Sequence, residues 1–387
     1  MTVPTIRVRE IAEQIRGVTF AKADAISERQ SDYVPVIRAG NIQDGNLVFA
    51  DLLFVPRHRV ASKQRLRPDD VVITASSGSL ATIGKAARVA GSQFEGTFGA
   101  FLKVLRPSDG VHPAYFAHYF QTMQYRRTVA ALAAGANINN LKNEHLDELE
   151  IRLPSFEEQR WIAAILDQAD ALRAKRRQVL AHLDALSQSI FHDMFGRESW
   201  PRVALGELST TTSGGTPDRS VPDYYGGNIP WVKSGELHSG LVVNTEESIT
   251  ELGLRSSSAK LVPSGTVLVA MYGATAGVVG QLGVEAATNQ AICAIRSGPD
   301  LEDAYLVAVL RSMTDQLLTR RAGGAQPNLS QGILRSLELP VPRLSLQQEF
   351  GHRVDRLGNQ RLLAFRTLAV DDELFTSLQS RAFKGEL

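Results

Sequence analysis

A helical stretch of about 40 residues occurs twice in this chain, and that repetition restricts its architecture more than any other feature. The first copy opens at Leu153-Pro154-Ser155-Phe156-Glu157-Glu158-Gln159 and closes at Phe195-Gly196. Pro154 cannot sit inside a helix, Ser155 suits an N-cap, and Glu157 and Glu158 place acid where the helix dipole is positive. Ile162, Ile165, Ala169, Leu172, Val179, Leu183, Leu186 and Ile190 then recur at spacings of three and four, interrupted by Arg176. That pattern predicts a helix packed along one seam, ended by Gly196. At 1.5 Å per residue such a rod is roughly 60 Å long, too long for the interior of one small domain. It reads as a spacer.

The second copy opens at Leu339-Pro340-Val341-Pro342-Arg343-Leu344-Ser345-Leu346-Gln347 and continues through Phe350, Val354, Leu357, Ala364, Leu368, Phe375 and Leu378. Pro154 and Gln159 match Pro342 and Gln347, each 188 positions on. The material ahead of each rod repeats as well. Pro35 to Gly45 aligns with Pro230 to Gly240 at an offset of 195, as do Gly78 and Gly273. Ala114-Tyr115 aligns with Ala304-Tyr305, and Asn140-Leu141 with Asn328-Leu329. The order is globule, rod, globule, rod: residues 1–150, 151–197, 198–338 and 339–387.

Each globule reads as α+β. Strands are expected at Tyr33–Arg38, Leu47–Phe54, Val71–Ala75 and Phe98–Leu105, with a helix over Pro113–Ala134 and a loop over 135–140. The second globule repeats this with strands at Ile229–Lys233, Val267–Met271 and Ala291–Ile295, a helix over 304–321 and a loop over 323–328. Trp231 and Phe98 are expected in the core rather than as stacking platforms for bases.

The balance of 42 basic against 41 acidic residues, net +1, argues against holding nucleic acid by bulk electrostatics alone. Any basic groups must be local, or a partner must supply them. The one cysteine, Cys293, excludes an internal disulfide and any multi-cysteine metal site. Together with an N-terminus that lacks a signal layout, it points to the cytoplasm. The uncharged run Leu261 to Val284 is broken by Pro263 and five glycines, so strand, turn and strand suit it better than a membrane span.

Catalytic signatures are missing. No Asp/Glu-x-Lys triplet of a metal-dependent nuclease occurs, and neither does an Asn-Pro-Pro-Tyr-type run or a Gly-x-Gly. Gly78 to Ala86 resembles a phosphate loop only with its glycines one residue too far apart. Ser257-Ser-Ala-Lys260 stands in a Ser-rich loop without partner motifs, and the histidines lack metal-ligand spacing. What remains is recognition chemistry on paired loops. Arg38, Asn41, Ser76, Ser77 and Lys85 lie beside glycines in the first globule, and Lys233, Ser234, Glu236 and Tyr272 in the second. Such side chains read base edges in the major groove; the alternative for each is a solvated turn residue. On the rods, Arg173, Lys175, Arg176, Arg177, Arg353, Arg356, Arg361 and Arg366 offer phosphate contacts or simply a solvated helix face.

Ser213-Gly-Gly-Thr-Pro217, Asn228-Ile-Pro-Trp-Val-Lys-Ser-Gly-Glu-Leu237, Met271-Tyr-Gly-Ala-Thr-Ala-Gly277 and Leu339-Pro-Val-Pro342 with Gln347-Gln-Glu349 resemble the specificity subunit of Type I restriction–modification enzymes. The first half resembles it through Val36 to Ile42 and Leu153 to Gln159, so essentially the whole chain is covered. The resemblance implies two target-recognition domains, separated by two long antiparallel helices that form a coiled-coil spacer with pseudo-twofold symmetry. It implies a non-catalytic chain in which each domain reads one half of a split DNA sequence. Two methyltransferase subunits would bind it, and restriction subunits with motor and nuclease functions would join. S-adenosylmethionine, magnesium and ATP would belong to those partners, leaving no cofactor in this chain. Val278-Val-Gly-Gln281 lacks the basic residue that Lys85 supplies, which puts a phosphate contact there in question. A self-sufficient DNA methyltransferase or nuclease, and a two-module scaffold without DNA, are the competing readings.

Overall fold

The structure, a computed structural model, describes residues 3–79, 81–91, 94–134, 140–319 and 328–387. The loops expected at 135–140 and 323–328 therefore fall outside the described residues except for Asn140 and Asn328, as does the end of the helix expected at 304–321. The chain forms two compact units, Met1–Lys175 with Thr367–Leu387, and Arg176–Arg366.

In the first unit, strands Ala12–Arg16, Leu102–Pro107, Val71–Thr74 and Ala86–Arg88 form an antiparallel sheet in that order. Residues alternate faces along a strand, and here both faces are covered. Val71, Ile73 and Leu105 face a helical cluster with Tyr115, Phe116 and Phe120. Val72, Leu102 and Val104 face Ile37 and Phe98. A second small sheet orders Leu53–Pro56, Tyr33–Ile37 and Thr97–Phe98, the last pair parallel.

The second unit repeats the plan. Ser209–Ser213, Ile292–Ser297, Val267–Ala270, Val279–Leu282 and Leu241–Val242 form its main sheet. Val267 and Val269 face the helical side, while Leu268 and Ala270 face the other. Glu247–Ile249, Tyr225–Val232, Ala286–Thr288 and Leu261–Val262 form the companion sheet. Trp231 and Phe98 are fully buried, as expected.

Four expected elements are divided: the helix over 304–321 appears as Asp303–Ser312 and Thr314–Thr319 across its described residues, and the other three part for local reasons. The strand expected over 47–54 appears as Asn46–Leu47 and Leu53–Pro56, because the Asn41 amide takes the carbonyls of Val48 and Ala50 at 2.8 Å each. Phe98–Leu105 is interrupted by a turn in which Leu102 N–H donates to Gly99 O. The helix over 113–134 appears as Pro113–Tyr119 and Met123–Ala134. Between them Thr122 Oγ1 accepts from Tyr125 N–H at 3.1 Å, which is N-cap geometry.

The two rods are single helices, Phe156–Phe195 and Leu344–Lys384. Ser155 Oγ accepts the N–H of Glu158 at 3.3 Å, supporting its role as a cap. The matched glutamines join each rod to its own unit. Gln159 Oε1 accepts His112 N–H at 2.8 Å and Gln347 Oε1 accepts Glu302 N–H at 3.0 Å. Their amides donate to Pro154 O and Pro342 O at 2.9 and 2.8 Å. Within the first unit, Ile162, Ala163 and Leu166 of the first rod share a core with Phe375 and Ala382 of the second. Within the second unit, Phe191 and Phe195 of the first rod pack on Phe350 of the second. In both units, then, an early part of one rod meets a late part of the other, as an antiparallel pair must. The expected seam is only partly buried, however. Leu172, Val179 and Leu186 are 50%, 43% and 46% exposed, because buried positions move to Ala163, Leu166, Phe191 and Phe195.

Candidate nucleic-acid interface

Arg38 stands at the end of strand Tyr33–Ile37 with its side chain exposed. Its Nη2 donates to Asp51 O at 2.6 Å, and its backbone N–H donates to Asn41 Oδ1 at 2.8 Å. Asn41 is itself buried, and both ends of its amide are taken by Arg38, Val48 and Ala50. The structure therefore gives Asn41 the task of shaping the turn that presents Arg38.

The same device recurs at the aligned turn of the second globule. Lys233 N–H donates to Glu236 Oε2 at 2.6 Å, and Glu246 N–H donates to Glu236 Oε1 at 2.8 Å. Glu236 thus replaces Asn41 as organiser of the turn Ser234–Ser239, where Ser234 is half-buried. Lys233 differs from Arg38 in being claimed by acid: Nζ lies 2.5 Å from Glu246 and 3.1 Å from Glu247. The hydrogen bond it donates to Glu246 holds its ammonium above the ordinary lysine range. Glu247 also pairs with Arg219, whose guanidinium lies 4.5 Å from the Tyr225 ring centre; the Arg219 hydrogen bond keeps that carboxyl below its usual range.

The second pair of loops matches as closely. Ala75 N–H and Leu141 N–H repeat as Met271 N–H and Leu329 N–H, donating respectively to Phe101 O, Ala75 O, Ala291 O and Met271 O. Ser76 follows Ala75 and donates its N–H to Phe101 O at 3.0 Å, while Tyr272 follows Met271 and is 41% exposed. Ser77 Oγ is engaged with Thr82 Oγ1 at 2.5 Å. Thr74 N–H donates to Lys85 O and Ala270 N–H to Val278 O, both at 2.9 Å. Val278 is therefore the true counterpart of Lys85, and the second unit carries no cation at that position.

Arg38 and Asn41 line one cavity of 730 Å³ with Arg16, Phe20 and Phe101. Ser76 adjoins it through the Phe101 carbonyl. Sequence reasoning missed Phe101, which is 68% exposed at the turn after Thr97–Phe98; read as mid-strand, it gave no sign of exposure. It also missed a 350 Å³ cavity with Arg29, Arg57 and Arg65 on its wall, since these arginines are scattered in sequence. On the rods, Arg173 and Arg361 are not solvated: each is committed to an acid on the opposite rod, Asp372 and Asp184.

Charge divides unequally between the globules. Residues 1–150 hold 18 Lys and Arg against 15 Asp and Glu, whereas residues 198–338 hold 10 against 14. The near-zero total conceals +3 and −4. Among the described residues no cluster of His, Cys, Asp and Glu could hold a metal ion, and no helix is long and apolar enough to cross a membrane.

The duplicated frame with different side chains on each copy defines a protein of repeated recognition units. The sequence profile described as Type I restriction modification DNA specificity domain matches residues 2–182 and again 197–367. The chain belongs to that family, and its role is to specify the DNA target, as a recognition subunit and not a catalyst. It is 29% identical to the Type I restriction enzyme StySPI specificity subunit of Salmonella potsdam, over 99% of this chain and 89% of that one. It is 28% identical to the EcoKI specificity subunit of Escherichia coli K12, over 98% and 88%. The crystal structure of the S subunit of a Type I restriction–modification system from M. genitalium superimposes with a TM-score of 0.54 at 15% identity, covering 99% of this chain and 96% of that one. Its fold is the same.

Proposed function

We propose that this chain reads a two-part, asymmetric DNA target, one half with each globule, and that its long helices fix the gap between the halves. One observation carries this reading. The same set of loops is built twice, with Arg38, Ser76, Lys85 and Phe101 on one copy and Lys233, Tyr272, Val278 and Ala291 on the other. A shared frame with different reading side chains suits two different half-sites. Half-sites read from one face of the duplex lie about one turn, roughly 34 Å, apart. A stiff helix can hold such a separation where a flexible linker cannot. On this reading residues 1–150 and 198–338 are the target-recognition domains, and 151–197 and 339–387 are the spacer segments.

Catalysis belongs to partners. Two methyltransferase subunits dock on the helices, where exposed apolar side chains offer contact area: Leu172, Val370 and Leu374 in the first unit, Val179, Leu186 and Leu363 in the second. Restriction subunits complete the full complex, and S-adenosylmethionine, magnesium and ATP bind to partners. An acidic second globule needs that help most, since its own charge repels phosphate. The isolated chain therefore binds DNA weakly at physiological salt. The test is methylation-sensitive sequencing of DNA from cells that express the chain with its methyltransferase. A single split motif with two unlike halves supports the proposal; a continuous motif, or methylation by the chain alone, refutes it.

A further inference from the structure

The two units attach their recognition turns to the rest of the fold differently. In the first, Gln121 Nε2 donates to Gly45 O at 3.2 Å. The alignment that pairs Tyr115 with Tyr305 makes Arg311 its counterpart, and Arg311 Nη2 reaches Gly240 O at 3.4 Å. The second unit adds a hold of its own. Arg361, on the second long helix, donates from Nη2 to Ser239 O at 2.9 Å, while its Nε lies 3.2 Å from Asp184 on the first long helix. Asp184 is also 3.8 Å from Arg311. Ser239 ends the turn that carries Ser234 and Glu236. Gly240 follows it at φ 71°, a left-handed backbone that favours glycine, and a Cβ there would meet Arg361 Nη2 at 2.1 Å, so a side chain at 240 would push the guanidinium aside.

The sequence explains why only one unit does this. Arg361 corresponds to Arg173 in the alignment that pairs Gln347 with Gln159. Arg173 is held by Asp170 at 2.6 Å, by Asp372 at 2.6 Å and by the Phe375 ring, whose centre is 4.2 Å away. In the second unit the counterparts of Asp170 and Phe375 are Gly358 and Ser187. The second unit thus lacks one of the two carboxylates and the aromatic ring that hold the guanidinium in the first, and Arg361 extends to the turn instead.

We infer that Arg361 is a positioning residue for the second recognition turn, tying base reading in one half-site to the packing of the two long helices. The inference rests on the two-part reading above. It assigns the second globule a turn whose placement depends on the Asp184–Arg361 contact, and the first globule a turn that does not depend on the matching pair.

The test uses the complete complex with its methyltransferase subunits and scores methylated motifs genome-wide. Arg361→Ala should relax one half-site, raising methylation at sites mismatched in that half by about tenfold, the scale of one mismatch. The other half should be unchanged. Gly358→Asp combined with Ser187→Phe keeps the arginine but restores the first unit's holders, and should give the same one-sided relaxation with the cation present. Arg173→Ala should leave both halves as they were. Equal relaxation of both halves, or none with Arg361→Ala, overturns the inference. A wild-type complex that methylates no split motif overturns the two-part reading itself, and this inference with it.

Discussion

Arg173 and Asp372 form a 2.6 Å ion pair between the long helices in the first unit, and the internal repeat maps them onto Arg361 and Asp184, paired at 3.2 Å in the second. The arginine moves from the first helix to the second and the aspartate moves the other way. A duplication that exchanges the helices in this manner leaves each contact made twice with its polarity reversed. A double-mutant cycle on Arg173→Ala and Asp372→Asn, followed by urea unfolding, should give a coupling of about 1 kcal/mol, because the half-buried Asp372 carboxylate is still partly screened by solvent. No measurable coupling would show that the pair is incidental.

Gln159 and Gln347 are buried and fully bonded, so they are the polar groups whose loss should be felt most. Gln159→Leu strands the His112 N–H, and Gln347→Leu strands the Glu302 N–H. Each should cost about 1–3 kcal/mol in chemical denaturation, with little effect from the exposed neighbours Glu157→Ala and Gln348→Ala.

Asn41 and Arg38 should separate structure from recognition. Asn41→Ala removes the bonds that shape the turn and should lower stability by about 1–3 kcal/mol. Arg38→Ala should change stability by less than about 0.5 kcal/mol while weakening target binding by the complex. Gel shift and thermal melting on both variants check this; the reverse assignment would show that Asn41 reads DNA after all.

Lys103 lies in strand Leu102–Pro107, with Nζ donating to Asn143 Oδ1 at 2.8 Å. Burial lowers its pKa from 10.5 to about 8, against the pull of Asp147. Between those two values the unfolded chain binds the extra proton, so this group makes stability rise with pH there. Below pH 8 the charged form is carried at full cost. Lys103→Met should therefore raise the melting temperature at pH 7, and its advantage should shrink steadily from pH 8 to 10.5.

Inserting one heptad into both long helices should change the permitted gap between half-sites and leave the bases of each half alone. Motif sequencing reads both quantities. Leu183→Pro should instead break the first helix, at a cost of about 3 kcal/mol or more.

The duplication and the long helices were legible because Pro154, Gln159 and their counterparts carry strong local signals. The candidate interface was legible only as loops. Asn41 and Glu236 look like readers in sequence, yet their side chains bond the backbone of their own turns, and that depends on how the chain folds back on them. Lys233 likewise appears as a free cation until Glu246 and Glu247 close on it. Phe101 could not be seen because exposure at a turn inside an apolar run leaves no periodic trace. Arg361 was visible as a helix charge, but its grip on Ser239 joins residues 122 positions apart.

The first unit is completed by residues from both ends of the chain: the rings of Phe383 and Tyr115 pack at a tilt with centres 4.9 Å apart, and Arg152 Nη1 donates to Lys384 O at 2.6 Å. The second unit is an uninterrupted stretch inserted between those two parts. On the ribosome the module that begins first must therefore wait longest for its last pieces. A late frameshift or nonsense codon would injure the recognition surface made earliest, while the one encoded nearer to the lesion stays whole.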